Sequence, residues 1–62
     1  MKLLVTGSTG LLGQAIVSSG RARNLTVIGL ARSNADRNLD ISDDARLTET
    51  IVADQPDIVI NT

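Results

Sequence analysis

Val5-Thr6-Gly7-Ser8-Thr9-Gly10-Leu11-Leu12-Gly13 is the stretch on which the fold turns. The aliphatic run Leu3-Leu4-Val5 feeds directly into it, and a segment with helical spacing follows. Leu12, Ala15, Ile16 and Ser19 recur at i, i+3, i+4 and i+7, which predicts a helix from Leu11 to about Ser19 with those four side chains on its core face. Gly20 is the expected helix stop. The three glycines therefore stand between a strand and the first turn of a helix.

Two further aliphatic runs, Leu25-Thr26-Val27-Ile28 and Ile58-Val59-Ile60, read as strands. All three runs are continuous rather than alternating, as expected of parallel strands covered on both faces. Before the last run, Ser42 is placed to cap a second helix, with Asp43 and Asp44 in the first turn at the positive end of the helix dipole. Leu47, Thr48, Ile51 and Val52 form its expected core face. Asp43 to Arg46 and Arg46 to Glu49 are spaced for surface ion pairs, and Pro56 ends the helix. The polar segment between Leu30 and Asp40 is a loop with a short strand expected at Asn38 to Ile41. The order strand, helix, strand, loop, helix, strand predicts an α/β fold, a Rossmann-type βαβαβ half-domain with a parallel sheet.

Composition narrows the chemistry. The 62 residues include no Cys, His, Phe, Tyr or Trp, so disulfides, thiol redox chemistry, a His base and an aromatic core are all excluded. No metal site is expected. With seven acidic against six basic side chains, the net charge of −1 offers no basic footprint for nucleic acid. No apolar stretch approaches the roughly 18 residues that span a bilayer, and Met1-Lys2-Leu3 has no secretory character; a cytoplasmic location without membrane contact is expected. A chain of this size buries only about 60% of its unfolded surface, so self-association through an uncovered strand edge is a further expectation.

Each glycine has a separate physical task at a dinucleotide site. Gly7 permits the tight turn off the strand, Gly10 lets the backbone approach a pyrophosphate, and Gly13 allows the helix to lie close on the sheet. Unpaired N–H groups at the start of the helix, from Gly10 to Leu12, then face the anion, and the helix dipole adds to their pull. Thr6, Ser8 and Thr9 contribute turn hydroxyls that satisfy backbone or phosphate. A glycine-rich turn without a ligand is the plainer alternative.

At the end of the second strand the chain reads Gly29-Leu30-Ala31-Arg32-Ser33. An acidic side chain there would accept from the adenosine ribose, and Ala31 supplies none. Arg32 offers a guanidinium and Ser33 a hydroxyl to a 2′-phosphate, which favours NADP(H) over NAD(H). The competing reading makes Arg32 a solvated loop cation and lets Asp36 reach back to the ribose. Asp40-Ile41-Ser42-Asp43 offers a carboxylate to an adenine amino group, although helix capping alone would also select acids at these positions.

Thr6-Gly7-Ser8-Thr9-Gly10-Leu11-Leu12-Gly13 resembles the TGxxGxxG fingerprint of the extended short-chain dehydrogenases/reductases. Leu39-Asp40-Ile41-Ser42-Asp43 and Gln55-Pro56-Asp57-Ile58-Val59-Ile60-Asn61 resemble the L-D-I-T-D and R-P-D-V-V-V-N stretches of dTDP-4-dehydrorhamnose reductases. The resemblance covers residues 1–62 as the N-terminal part of an NAD(P)-binding Rossmann domain. It implies that Gly7, Gly10 and Gly13 with Leu11 and Leu12 meet the pyrophosphate, with Ser8 and Thr9 of the same turn counted among the cofactor-binding residues. Ala31, Arg32 and Ser33 would lie at the adenosine ribose or its phosphate, Asp40 and Ile41 at the adenine, and Asn61 and Thr62 beside the nicotinamide ribose. Hydride transfer to a nucleotide-sugar ketone is the implied reaction, with a nucleotide-sugar epimerase or dehydratase, or a non-catalytic dinucleotide-binding module, as alternatives. Such reductases use a Tyr-x-x-x-Lys pair, whereas this chain has no Tyr and only Lys2. No catalytic residue is assigned, and the 62 residues by themselves are expected to be inactive.

Overall fold

Leu3 and Val5 project to one side of the first strand and Leu4 to the other, and each side is covered by its own helix. The computed structural model describes all of residues 1–62, in the order β1 (Lys2–Thr6), α1 (Leu11–Ala22), β2 (Thr26–Ala31), β3 (Arg37–Asn38), α2 (Asp44–Asp54) and β4 (Ile58–Asn61). The strands form one parallel sheet in the order β3-β2-β1-β4. This is the expected Rossmann-type α/β half-domain. Leu3, Val5 and Val27 gather with Ile16 and Val17 of α1, while Leu4, Leu30 and Leu39 gather with Leu47 and Ile51 of α2. A strand that must be apolar on both faces reads as a continuous aliphatic run, which is why β1 was legible.

Several boundaries differ from the expectation. Gly20 does not stop α1. The helix continues to Ala22, and Gly20 is buried within it because a Cβ there would stand 2.7 Å from the Cγ2 of Val27. The face of α1 turned to the sheet is Gly13, Ile16, Val17 and Gly20, while Leu12, Ala15 and Ser19 are exposed. On α2, Leu47 and Ile51 pack inward as expected, but Thr48 and Val52 face solvent.

Asp43, not Ser42, caps α2. Its carboxylate accepts the Arg46 N–H at 3.2 Å, because the Ser42 hydroxyl is committed to Asp40 Oδ1 at 2.9 Å. No ion pair forms from Arg46 to Asp43 or Glu49; the three present are Arg21–Asp36, Arg32–Asp40 and Arg37–Asp54. The short strand lies at Arg37–Asn38 rather than Asn38 to Ile41, since the turn from Asp40 to Ser42 ends the extended backbone. The other end of α2 closes as Pro56 requires: Gln55 takes a left-handed conformation (φ 47°) and its N–H returns to the Ile51 carbonyl. No helix is long and apolar enough to cross a membrane.

Candidate functional site

The sheet order reverses between β1 and β4: from β1 the chain passes to β2 and β3 on one side, then to β4 on the other. In open α/β sheets the crevice outside the carboxyl ends of strands at such a reversal is where ligands bind. Gly7 leaves β1 there with φ 64°, a conformation that glycine adopts without penalty. Thr62 follows β4 beside it, and its hydroxyl donates to the Thr6 carbonyl at 2.6 Å.

The glycine loop is shaped by contacts that leave no room for side chains. A Cβ on Gly13 would overlap the Gly7 carbonyl oxygen and stand 2.8 Å from the Ser8 Cα, so the first turn of α1 is laid directly on the loop. A Cβ on Gly10 would be held 3.3 Å from the same oxygen. Gly10 is also the N-cap, and it supplies no side-chain acceptor; no acid stands in the first turn. The N–H groups of Leu11, Leu12 and Gly13 find no acceptor within the chain. An uncapped helix start with free N–H groups is suited to an anion from outside.

Beside the loop, Gly7, Thr9, Ala31, Arg32, Ser33, Leu39, Asp40, Ile41 and Thr62 enclose a cavity of about 310 Å³. The structure thus brings together the glycine turn, the end of β2 and the segment before α2. Gly10, Leu11, Leu12 and Gly13 line no part of this cavity; they stand at the start of α1, with the Leu11 and Leu12 side chains exposed. Ser8 turns away: it is buried, its N–H donates to the Leu30 carbonyl at 3.2 Å, and its side chain lines a second, more polar cleft of about 730 Å³. Asn61 also lies outside the cavity, with its carboxamide oxygen accepting the Thr6 hydroxyl at 2.5 Å. Thr62 and Leu39 line the cavity instead. Leu39 opens the stretch that resembles L-D-I-T-D, and Thr62 directly follows β4.

Asp40 divides its two oxygens between structure and cavity. Oδ1 accepts the Ser42 N–H at 3.0 Å and the Ser42 hydroxyl, while Oδ2 remains open and lies 3.8 Å from Arg32 Nε. The Ser42 N–H first, then its hydroxyl, and to a smaller extent Arg32, hold the carboxyl below the usual aspartate range. It is therefore an ionised acceptor at neutral pH. Arg32 is 85% exposed at its side chain and pairs with Asp40 at 3.8 Å, too long for a hydrogen bond, so its N–H groups remain available to another anion. Asp36 does not reach the cavity: its Oδ2 accepts the Gly29 N–H at 2.7 Å and pairs with Arg21 at 2.9 Å.

These residues fit a dinucleotide. The loop gives close backbone approach, the helix start gives uncompensated donors, and the cavity wall gives an exposed Arg32–Asp40 ion pair whose groups make no hydrogen bond to one another. Comparison with curated proteins gives no match. The model of the family described as RmlD substrate binding domain matches residues 1–62, and with the whole chain matched, this protein belongs to that family, the dTDP-4-dehydrorhamnose reductases, a family of oxidoreductases.

Proposed function

We propose that residues 1–62 are the NADP(H)-binding N-terminal part of a Rossmann domain in a reductase that acts on a nucleotide-sugar ketone. The observation that carries this reading is the single cavity that joins Gly7 and Thr9 of the glycine turn to Arg32 and Ser33 after β2 and to Asp40 and Ile41 before α2. The N–H groups of Leu11, Leu12 and Gly13 bind the pyrophosphate at the start of α1. Arg32 and Ser33 take the 2′-phosphate, and the open Oδ2 of Asp40 accepts from the adenine amino group with Ile41 against the ring. When bound, the nicotinamide supplies the hydride. The chain's own contribution is to bind and orient the nucleotide, since no proton donor of the Tyr-Lys kind is present. NAD(H) is the lesser alternative.

The test is an NMR titration of the isotopically labelled chain with NADPH and then NADH. Amide shifts from Gly7 to Gly13 and from Arg32 to Asp40, produced at lower NADPH than NADH concentration, are the expected result. A folded chain whose amides respond to neither nucleotide would overturn the reading, and equal responses would replace NADP(H) by a cofactor-neutral site.

A further inference from the structure

The outer edge of β2 is finished by side chains rather than by a strand. β3 pairs only with Leu30 and Ala31, so the Gly29 N–H and the Val27 carbonyl lie beyond its reach. Asp36 and Arg21 take its place. Asp36 Oδ2 accepts the Gly29 N–H at 2.7 Å, and Arg21, from the last turn of α1, donates through one Nη2 to the Val27 carbonyl at 3.3 Å and to the same Asp36 oxygen at 2.9 Å. One carboxylate oxygen therefore ties the loop after β2 to both the strand and the helix that follows the glycine turn.

The loop so held is a partition. Ala31, Arg32 and Ser33 line the cavity of about 310 Å³, whereas Asn34, Ala35 and Asp36 line the cleft of about 730 Å³ behind it. Asn34 turns the backbone at φ 57°, the Ala35 N–H donates to Asn38 Oδ1 at 3.0 Å, and the Leu39 N–H returns to the Ala31 carbonyl at 2.9 Å. The Arg32 side chain has no hydrogen bond of its own, so its placement depends on the backbone that carries it. The far end of the loop is fastened by the β2–β3 pairing and by Arg37, which bonds Asp54 of α2 at 3.0 and 2.8 Å, while Asp36 is the loop's tie to α1 and to the middle of β2.

We infer that Arg21 and Asp36 are positioning residues for cofactor selection: by closing the edge of β2 they hold Arg32 and Ser33 where a 2′-phosphate would sit. This rests on the proposed nucleotide reading. A preordered loop forms its phosphate contacts without first giving up chain entropy, and only the phosphorylated nucleotide makes those contacts. Loosening the loop should therefore act on NADPH and spare NADH.

The experiment compares the wild-type chain with Asp36→Ala, Asp36→Asn and Arg21→Lys. Thermal unfolding and the ligand-free amide spectrum are recorded for each, and the dissociation constants for NADPH and NADH are measured. In Asp36→Ala, amides 31–35 should lose order while those of Gly7 to Gly13 keep theirs, and NADPH should bind about tenfold more weakly, with NADH changed by less than about twofold. Asp36→Asn retains an acceptor for Gly29 and should keep part of the selectivity, and Arg21→Lys tests the ion pair with Asp36 intact. A wild-type chain that prefers NADPH with variants that keep the full preference overturns the inference alone, as does an equal weakening of both nucleotides. A wild-type chain that binds neither overturns the nucleotide reading and the selection role together.

Discussion

The carbonyl of Gly7 occupies the place that a side chain on Gly13 would need, with its carbon 2.8 Å from where a Cβ would stand. Backbone cannot rotate aside as a flexible side chain can, so Gly13→Ala must lift α1 from the loop or distort the turn. The expected cost is about 1 to 3 kcal/mol of unfolding free energy, as for other overpacked sites. Chemical denaturation of the variant measures it, and an unchanged midpoint would show that helix and loop are not locked together.

Arg32 is the exposed cation at the cavity, paired with Asp40 at 3.8 Å, and its loss should be read by one cofactor only. Arg32→Ala is expected to weaken NADPH binding roughly tenfold, the loss of a charge-assisted contact, while NADH binding stays nearly constant. Isothermal titration with both nucleotides measures this. If NADH suffers equally, Arg32 serves the shared part of the nucleotide.

Asp40 should show its hydrogen bonds in its titration. A carboxyl whose folded value is depressed contributes stability that is present above its ordinary value and lost as pH falls through the folded one. The Ser42 N–H and hydroxyl supply most of this depression. Carbon-detected titration is expected to place the midpoint below the ordinary aspartate value, and Ser42→Ala to raise it part of the way, since the N–H bond survives. A midpoint indifferent to Ser42→Ala would separate the hydroxyl from the carboxylate.

Arg37 and Asp54 join β3 to the end of α2 through two bonds, at 3.0 and 2.8 Å, and Asp54 is otherwise buried. The pairing raises the Arg37 pKa further above its already high value, so no pH in the ordinary range breaks it by deprotonating the guanidinium. Arg37→Ala leaves a buried carboxylate without its partner and should lower the melting temperature more than replacing both residues with Met and Leu does. Thermal unfolding of the single and double variants decides it; equal losses would mean that the charge is not the burden.

The strands and the glycine turn were legible because their signals are local. Leu3-Leu4-Val5 shows its two buried faces in consecutive residues, and Gly7, Gly10 and Gly13 mark a backbone path. The inward face of α1 differs from the expected one because its two buried positions, Gly13 and Gly20, carry no apolar side chain to be seen in a hydropathy pattern. Ser42 was the better cap by type, but its hydroxyl had been claimed by Asp40, a competition between neighbours that spacing alone does not rank. Arg21 and Asp36 meet across a strand edge, a contact that exists only once the sheet is assembled.

β4 lies against β1, and the Thr6 hydroxyl reaches Asn61 across 55 positions of sequence. The entropic toll of closing so long a loop grows slowly, about 0.6 kcal/mol for each doubling, but it falls due before the contacts can repay it. Contact separation therefore favours the β1–α1–β2 unit over the β1–β4 pairing, on which the Thr62 wall beside Gly7 depends. The crevice at the sheet reversal is in this sense closed by two segments that stand far apart in sequence and meet only through the β1–β4 pairing.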